Sequence, residues 1–215
     1  MALAAALCTL PLALGLAWLI VRARPVPRLA LESLVNLPLV LPPVVIGYFL
    51  LLVFGAQGVL GQGLKAWFGL SFAFNFKGAV LAAGVMALPL MVRAIVQAFE
   101  ALDAGLVAVA RGLGATRFEA FRSIVLPLIS PGLVSALILG FATALGEFGA
   151  TITFVSNVPG ETQTLPLAIY SALQQPDAED AAARLVGLAV LLALAALTLA
   201  QWCNRRMLQW TGKAI

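Results

Sequence analysis

Histidine is absent from the sequence, and its two cysteines, Cys8 and Cys203, lie far apart inside apolar runs. A Cys/His zinc site and a disulfide framework are therefore both excluded. Charge is the second shortage. Lys and Arg number 13 and Asp and Glu nine, which makes 10% of 215 residues, against about a quarter in a soluble domain. So thin a supply cannot coat a globule with a polar surface. A secreted enzyme, a cytosolic binding module and a nucleic-acid reader drop out, in spite of a pI of 9.6. An intramembrane enzyme is equally ill supplied: no nucleophile–base pair is in sight, and Glu147 is the one acid inside an apolar run. What the chain has instead is 62% hydrophobic residues, a mean hydropathy of +1.05, four Trp, 12 Phe and 12 Pro. That is the composition of membrane helices with interfacial aromatics and kinks.

A spanning helix needs about 20 mostly apolar residues. Charge-poor stretches predict an all-α, polytopic membrane protein, a single domain over 1–215, with spans at 2–21, 34–54, 78–96, 128–150 and 185–203. A sixth span is expected if the true start lies upstream. The piece Leu165 to Leu173, bracketed by Pro166 and Pro176, is too short to cross. It is expected as a re-entrant or interfacial helix within an outer loop over 151–183. No basic residue precedes the first run and Arg22, Arg24 and Arg28 follow it, so a retained helix is expected rather than a cleaved signal.

Alternating spans put Arg22, Arg24, Arg28, Arg93, Arg111, Arg117, Arg122, Arg205, Arg206 and Lys213 on one side, and Lys65, Lys77 and Arg184 on the other. The basic side should be cytoplasmic. The N-terminus is then outside and the C-terminus inside, with Asp177, Glu179 and Asp180 on the outer side.

The longest inner segment, 97–127, has a grammar of its own. Val107 to Leu113 suits a short helix, and Gly114 follows where a left-handed stop residue would sit. Thr116 with Glu119 three residues on reads as a capping box. It opens a second helix through Arg117 to Val125 that is expected to end before Pro127. Phe118, Phe121, Ile124 and Val125 form its apolar stripe, and Arg117, Glu119 and Arg122 its wet side. Two readings fit such a knob. One is a basic amphipathic hairpin lying on headgroups; the other is a docking element whose Phe pair fills a partner's cleft.

Gly114, nine intervening residues, and Ile124-Val-Leu126-Pro127 resemble the loop that permeases of ATP-binding-cassette importers present to their ATPase. The Glu-Ala-Ala that usually opens this motif is replaced by Ala108-Val109-Ala110, so its acidic head is missing. Leu37 to Tyr48, Ala87 to Arg93 and the stretch Leu145 to Tyr170 around Glu147 are similar to the permeases of molybdate importers, with sulfate permeases close by. The resemblance implies a type I importer permease fold that acts as a pair, here two copies of this chain, in the lipid bilayer of the inner membrane. It further implies two cytoplasmic ATP-binding cassette subunits and a periplasmic or surface protein that delivers the oxyanion. No cofactor, metal or nucleic acid is implied, and ATP hydrolysis falls to the partner. The coupling residues it points to are Ala108, Ala110, Arg111, Gly114, Arg117, Phe118, Phe121, Ile124, Leu126 and Pro127.

The residues themselves support that division of labour. A divalent oxyanion in hydrocarbon is costly, so its path must be wet or lined by donors. Yet no Lys or Arg sits in the middle of a span, which suits weak binding and release. Candidate path or gate residues are Pro42, Pro43, Glu147, Thr151 and Asn157. The prolines supply either moving parts or mere shape. Glu147 is expected to fix the outer gate through hydrogen bonds rather than to meet cargo. Asn157 to Gly160 reads as a turn, and Thr162 or Thr164 as the cap of the short helix that follows. The outer segment is then either a landing surface or a plain cover. A channel or secondary transporter is the rival, but coupling acids and inverted repeats are not evident. Alkaline phosphatase fused after Gly160 should be active in intact cells and inactive when fused after Gly114; the reverse pattern would invert the topology.

Overall fold

Backbone polar groups in hydrocarbon must find partners within the chain, so a greasy chain folds as helices. The computed structural model describes residues 1–176 and 178–210, except for the side chains of residues 104, 200 and 203–210. Of the charges used above for sidedness, Asp177, Lys213 and the side chains of Arg205 and Arg206 lie outside the described residues. Eleven α-helices and a π turn make up the described fold: α1 (Ala2–Arg22), α2 (Pro25–Val40), α3 (Pro43–Phe54), α4 (Val59–Phe68), α5 (Phe76–Glu100), α6 (Ala104–Gly112), α7 (Arg117–Ala120), the π turn Phe121–Val125, α8 (Leu126–Leu145), α9 (Gly149–Val155), α10 (Leu165–Leu173) and α11 (Glu179–Trp210).

The centre is a trio in which α5 packs against α1 and α8, and these two also pack against each other. Lipid tails are as apolar as leucine, so helices associate in a membrane by close van der Waals contact, which small residues permit. All three helices carry such a seam at a spacing of four. In α1 it is Ala5, Thr9, Ala13 and Ala17; in α5, Ala79, Ala83 and Ala87, continued by Met91 and Ile95. In α8 it is Gly132, Ala136, Gly140 and Ala144. A Cβ on Gly132 would run into that of Ala98, and one on Gly140 into Met91. Helix α8 therefore runs antiparallel to α5. Ala5 clusters with Ala83, and Ile20 with Ile95, so α1 and α5 run parallel. Helix α11 lies outside this core, against α8 and α10.

Four helical segments are long and apolar enough to cross a membrane: Ala2–Arg22, Phe76–Glu100, Arg117–Leu145 and Glu179–Leu199. The span expected over 34–54 is two helices, α2 and α3, bent by 112° at Leu41 and Pro42, and counts as a fifth crossing if the bent pair is one span. The cause is local. Pro42 and Pro43 have no N–H to give the preceding turn, and a residue before proline is driven to extended backbone, as at Leu41 with ψ 144. Pro43 then opens α3 at its first turn, where no N–H is missed. These prolines break the helix rather than kink it. Arg28 on α2 holds Glu32 at 2.8 Å and Glu100, at the end of α5, at 2.5 Å, which ties the start of the bent pair to the core.

A second break follows Leu145. The span expected over 128–150 is α8, then an irregular Gly146–Phe148, then α9. The two breaks meet, because α9 packs on α3. A Cβ on Gly47 would lie 2.7 Å from both the Ala150 carbonyl oxygen and Thr153 Cβ. A backbone carbonyl cannot step aside as a side chain can. Gly47→Val is expected to lower stability by about 1–3 kcal/mol. Gly15→Ala, whose Cβ meets nothing within 4 Å, should be neutral or stabilising by up to about 1 kcal/mol. Thermal unfolding of both variants in detergent checks the contrast.

Candidate functional site

The knob between α5 and α8 is built by caps and a glycine. Asp103 opens α6, its Oδ1 accepting the Gly105 N–H at 2.8 Å. The helix ends at Gly112, and Gly114 reverses the chain at φ +95, a conformation that side chains resist. Thr116 and Glu119 close the capping box: the Thr116 N–H donates to Glu119 Oε2 at 2.7 Å, and the Glu119 N–H to Thr116 Oγ1 at 3.2 Å. The helix that begins there does not stop before Pro127. It passes through the π turn, where the Leu126 N–H reaches back to Phe121, and runs on as α8. The wider turn admits a proline ring that a regular helix would clash with. The second helix of the knob and the membrane helix are thus one continuous 29-residue segment.

The knob turns two different faces outward and inward. Leu106, Val109 and Leu113 recur at i, i+3 and i+7, and with Phe118 they are exposed, Leu113 at 84% and Phe118 at 70%. Ala108 and Pro127 are exposed too, while Ala110, Ile124 and Leu126 are half-buried. The phenylalanine pair is split. Phe121 turns into a cleft of about 590 Å³ between the knob and the ends of α1 and α5, which it lines with Trp18, Arg22, Phe99, Arg111 and Arg117. Phe118 is exposed, whereas Phe121, one turn on, is half-buried against the cleft. Leu106, Val109 and Leu113 were missed in the sequence. Their i, i+3, i+7 spacing is the sequence signal of such a face.

Among the gate candidates the structure brings Pro43, Glu147 and Thr151 to one junction. Glu147 is buried but not inside a helix: it lies in the break, and its Oε1 accepts the Ala150 N–H at 2.7 Å. A carboxylate over the first turn of α9 satisfies an orphan donor that the break would leave in a dry place. Gly149, beside it, lets Pro43 approach; a Cβ there would lie 2.8 Å from that of Pro43. Thr151 is 1% exposed, and its hydroxyl has no partner among the described residues. Pro42 stands at the other break. Asn157 lies farther along: its Nδ2 donates to Ser171 Oγ at 2.6 Å and ties the loop after α9 to α10. Ser156, just before it, holds φ +65. The turn closes on Gly160 at φ +82, with Thr162 buried and accepting the Val158 N–H, and Thr164 caps α10.

The family model described as "Binding-protein-dependent transport system inner membrane component" matches residues 9–209. A Haemophilus influenzae protein, "Molybdenum transport system permease protein ModB", is 50% identical over 212 residues, covering 99% of this chain and 93% of that protein. Its namesake in Escherichia coli K12 is 49% identical over 97% of this chain and 91% of that protein. Among solved structures, the MetNI methionine ABC transporter in inward-facing conformations aligns with TM-score 0.71 and 18% identity, covering 96% of this chain and 92% of the other. That likeness shows the fold, an ABC importer permease.

Glu147→Ala leaves a buried N–H without an acceptor and is expected to cost about 1–3 kcal/mol of stability. Glu147→Gln, which keeps a carbonyl oxygen at the same reach, should lose less than half as much. Thermal unfolding of the two variants side by side separates a capping role from a need for charge.

Proposed function

Since the chain belongs to the family of binding-protein-dependent transport inner membrane components, we propose that it is the permease of an ATP-driven molybdate importer. Two copies form the path, cytoplasmic ATP-binding cassette subunits move it, and a periplasmic or surface protein delivers the oxyanion. Molybdate rests on the near full-length likeness to proteins named for molybdenum transport. The chain itself carries no catalytic step; ATP hydrolysis belongs to the partner.

The observation that carries the coupling is the exposed apolar face Leu106, Val109, Leu113 and Phe118, whose last member stands on a helix that runs unbroken into the membrane and whose others lie on α6, joined to it through Gly114. That face suits a groove on the ATPase, with Gly114 and the capping box holding it in shape. Arg111, Arg117 and Phe121 support it from the cleft side, and Ala108, Ala110, Ile124, Leu126 and Pro127 complete the segment. When the ATPases close on ATP, the grooves move the knobs and the path alternates between inward and outward access. On the basic-inside topology the knob is cytoplasmic and the junction of the two broken helices lies toward the outer half. Pro42, Pro43, Glu147, Thr151 and Asn157 then serve as a gate region, in which Glu147 fixes backbone rather than binding cargo. An anion path without a fixed cation binds weakly and releases, so selection falls to the delivery protein.

Phe118→Asp and Leu113→Asp are expected to abolish copurification of the ATPase and to cut ATP-dependent molybdate uptake by at least about tenfold, a loss of 1.4 kcal/mol or more in coupling. Membrane insertion and monomer stability should be unchanged. Uptake at the normal rate in either variant would remove the docking role.

A further inference from the structure

The cleft beneath the knob has a chemistry that docking does not use. Three guanidinium-bearing residues, Arg22 from α1, Arg111 from α6 and Arg117 from α7, line it without a carboxylate among them. The described acids nearby are already engaged: Glu100 pairs with Arg28, Asp103 caps α6 and Glu119 caps α7. Among the described residues none of the three arginines is in an ion pair; Arg22 lies over the ring of Trp18 at 4.1 Å. The other walls are aromatic and aliphatic, with Trp18, Phe99 and Phe121 foremost. Its depth follows from α1. Twenty-one residues at about 1.5 Å each span roughly the hydrocarbon thickness, so Trp18 and Arg22 stand at the boundary where lipid headgroups begin.

We propose that this cleft is a seat for an anionic phospholipid, its phosphate held by Arg22, Arg111 and Arg117 and the start of its acyl chains lying against Trp18, Phe99 and Phe121. Guanidinium forks match phosphate oxygens in pairs. Basic pockets at the ends of membrane helices take acidic headgroups in this way. The apolar walls favour a lipid over free phosphate, which would leave them facing water. A volume near 590 Å³ holds a headgroup with its glycerol, not a whole lipid, so the chains continue into the bilayer. The seat joins α1 to both helices of the knob, and an occupied cleft braces the knob against the membrane. The proposal requires neither a particular cargo nor ATP coupling.

The test uses the full-length chain in nonionic detergent, titrated with phosphatidylglycerol or phosphatidylcholine of equal chain length and read by native mass spectrometry. Phosphatidylglycerol should be retained about tenfold more strongly. Arg22→Gln should reduce that preference to roughly threefold or less, and Arg22→Lys should keep more of it, as a point charge still attracts phosphate but loses the paired geometry. Equal retention of the two lipids by the unaltered chain overturns the proposal, and that comparison needs no substitution. So does an unchanged preference in a folded Arg22→Gln chain and in an Arg111→Gln/Arg117→Gln chain. Inorganic phosphate in millimolar amounts should fail to displace the lipid; displacement would make this a free-anion site. Addition of the ATP-binding subunit should leave the lipid bound. Its release would assign the arginines to that protein instead.

Discussion

Lipid gives helices no hydrophobic reason to touch one another, so the fold depends on how closely backbones can approach. Here that approach is granted by alanine and glycine at every fourth position of α1, α5 and α8. The seam leaves few degrees of freedom. Methyl-sized contacts tolerate neither rotation nor sliding without either a gap or a clash, and Gly132 and Gly140 show how little space remains beside Ala98 and Met91. With the three helices fixed, the knob, the bent pair and the outer elements attach to a body that does not yield. Helix α11, packed against α8 and α10, lies outside this seam and is mostly exposed.

The two breaks are the counterpart of that rigidity. One is made by Leu41 and the proline pair, the other by Gly146 to Phe148, and they face each other through the contact of α3 with α9. Each break frees backbone groups at membrane depth, and each is resolved differently. Proline removes its own donors at the first break, whereas Glu147 supplies an acceptor at the second. A buried carboxylate is thereby explained without assigning it to cargo. Thr151, whose hydroxyl finds no partner among the described residues, is the part of this junction that packing alone does not explain.

Much of this was legible in the chain. Shortage of charge gave the membrane class, and length of apolar runs gave α1 and α5 to within about four residues, whereas α11 extends six and seven residues beyond the two ends of the expected 185–203. Gly114, Thr116 with Glu119, the short helix at Leu165 and its threonine cap were all readable, because caps and left-handed turns are decided by one or two side chains. The misreadings share a cause. Hydropathy sums over a window and cannot tell a kink from a break, so 34–54 and 128–150 read as single spans. Pro127 reads as a stop, although the five-residue π turn Phe121–Val125 just before it carries the helix past it. The seam of small residues was present in the letters as a repeat of four, and went unread because alanine adds to hydropathy without drawing attention to shape.

The uninterrupted run from Arg117 to Leu145 has a mechanical meaning. At about 1.5 Å per residue, its 29 residues make a strut roughly 43 Å long, with the capping box at one end and the Glu147 break at the other. A strut transmits displacement instead of storing it, and its soft places, the π turn and the turn at Pro131, lie near the knob end. A push on the tip at Arg117 therefore emerges as a tilt at the far end, where the chain first has a joint able to receive it.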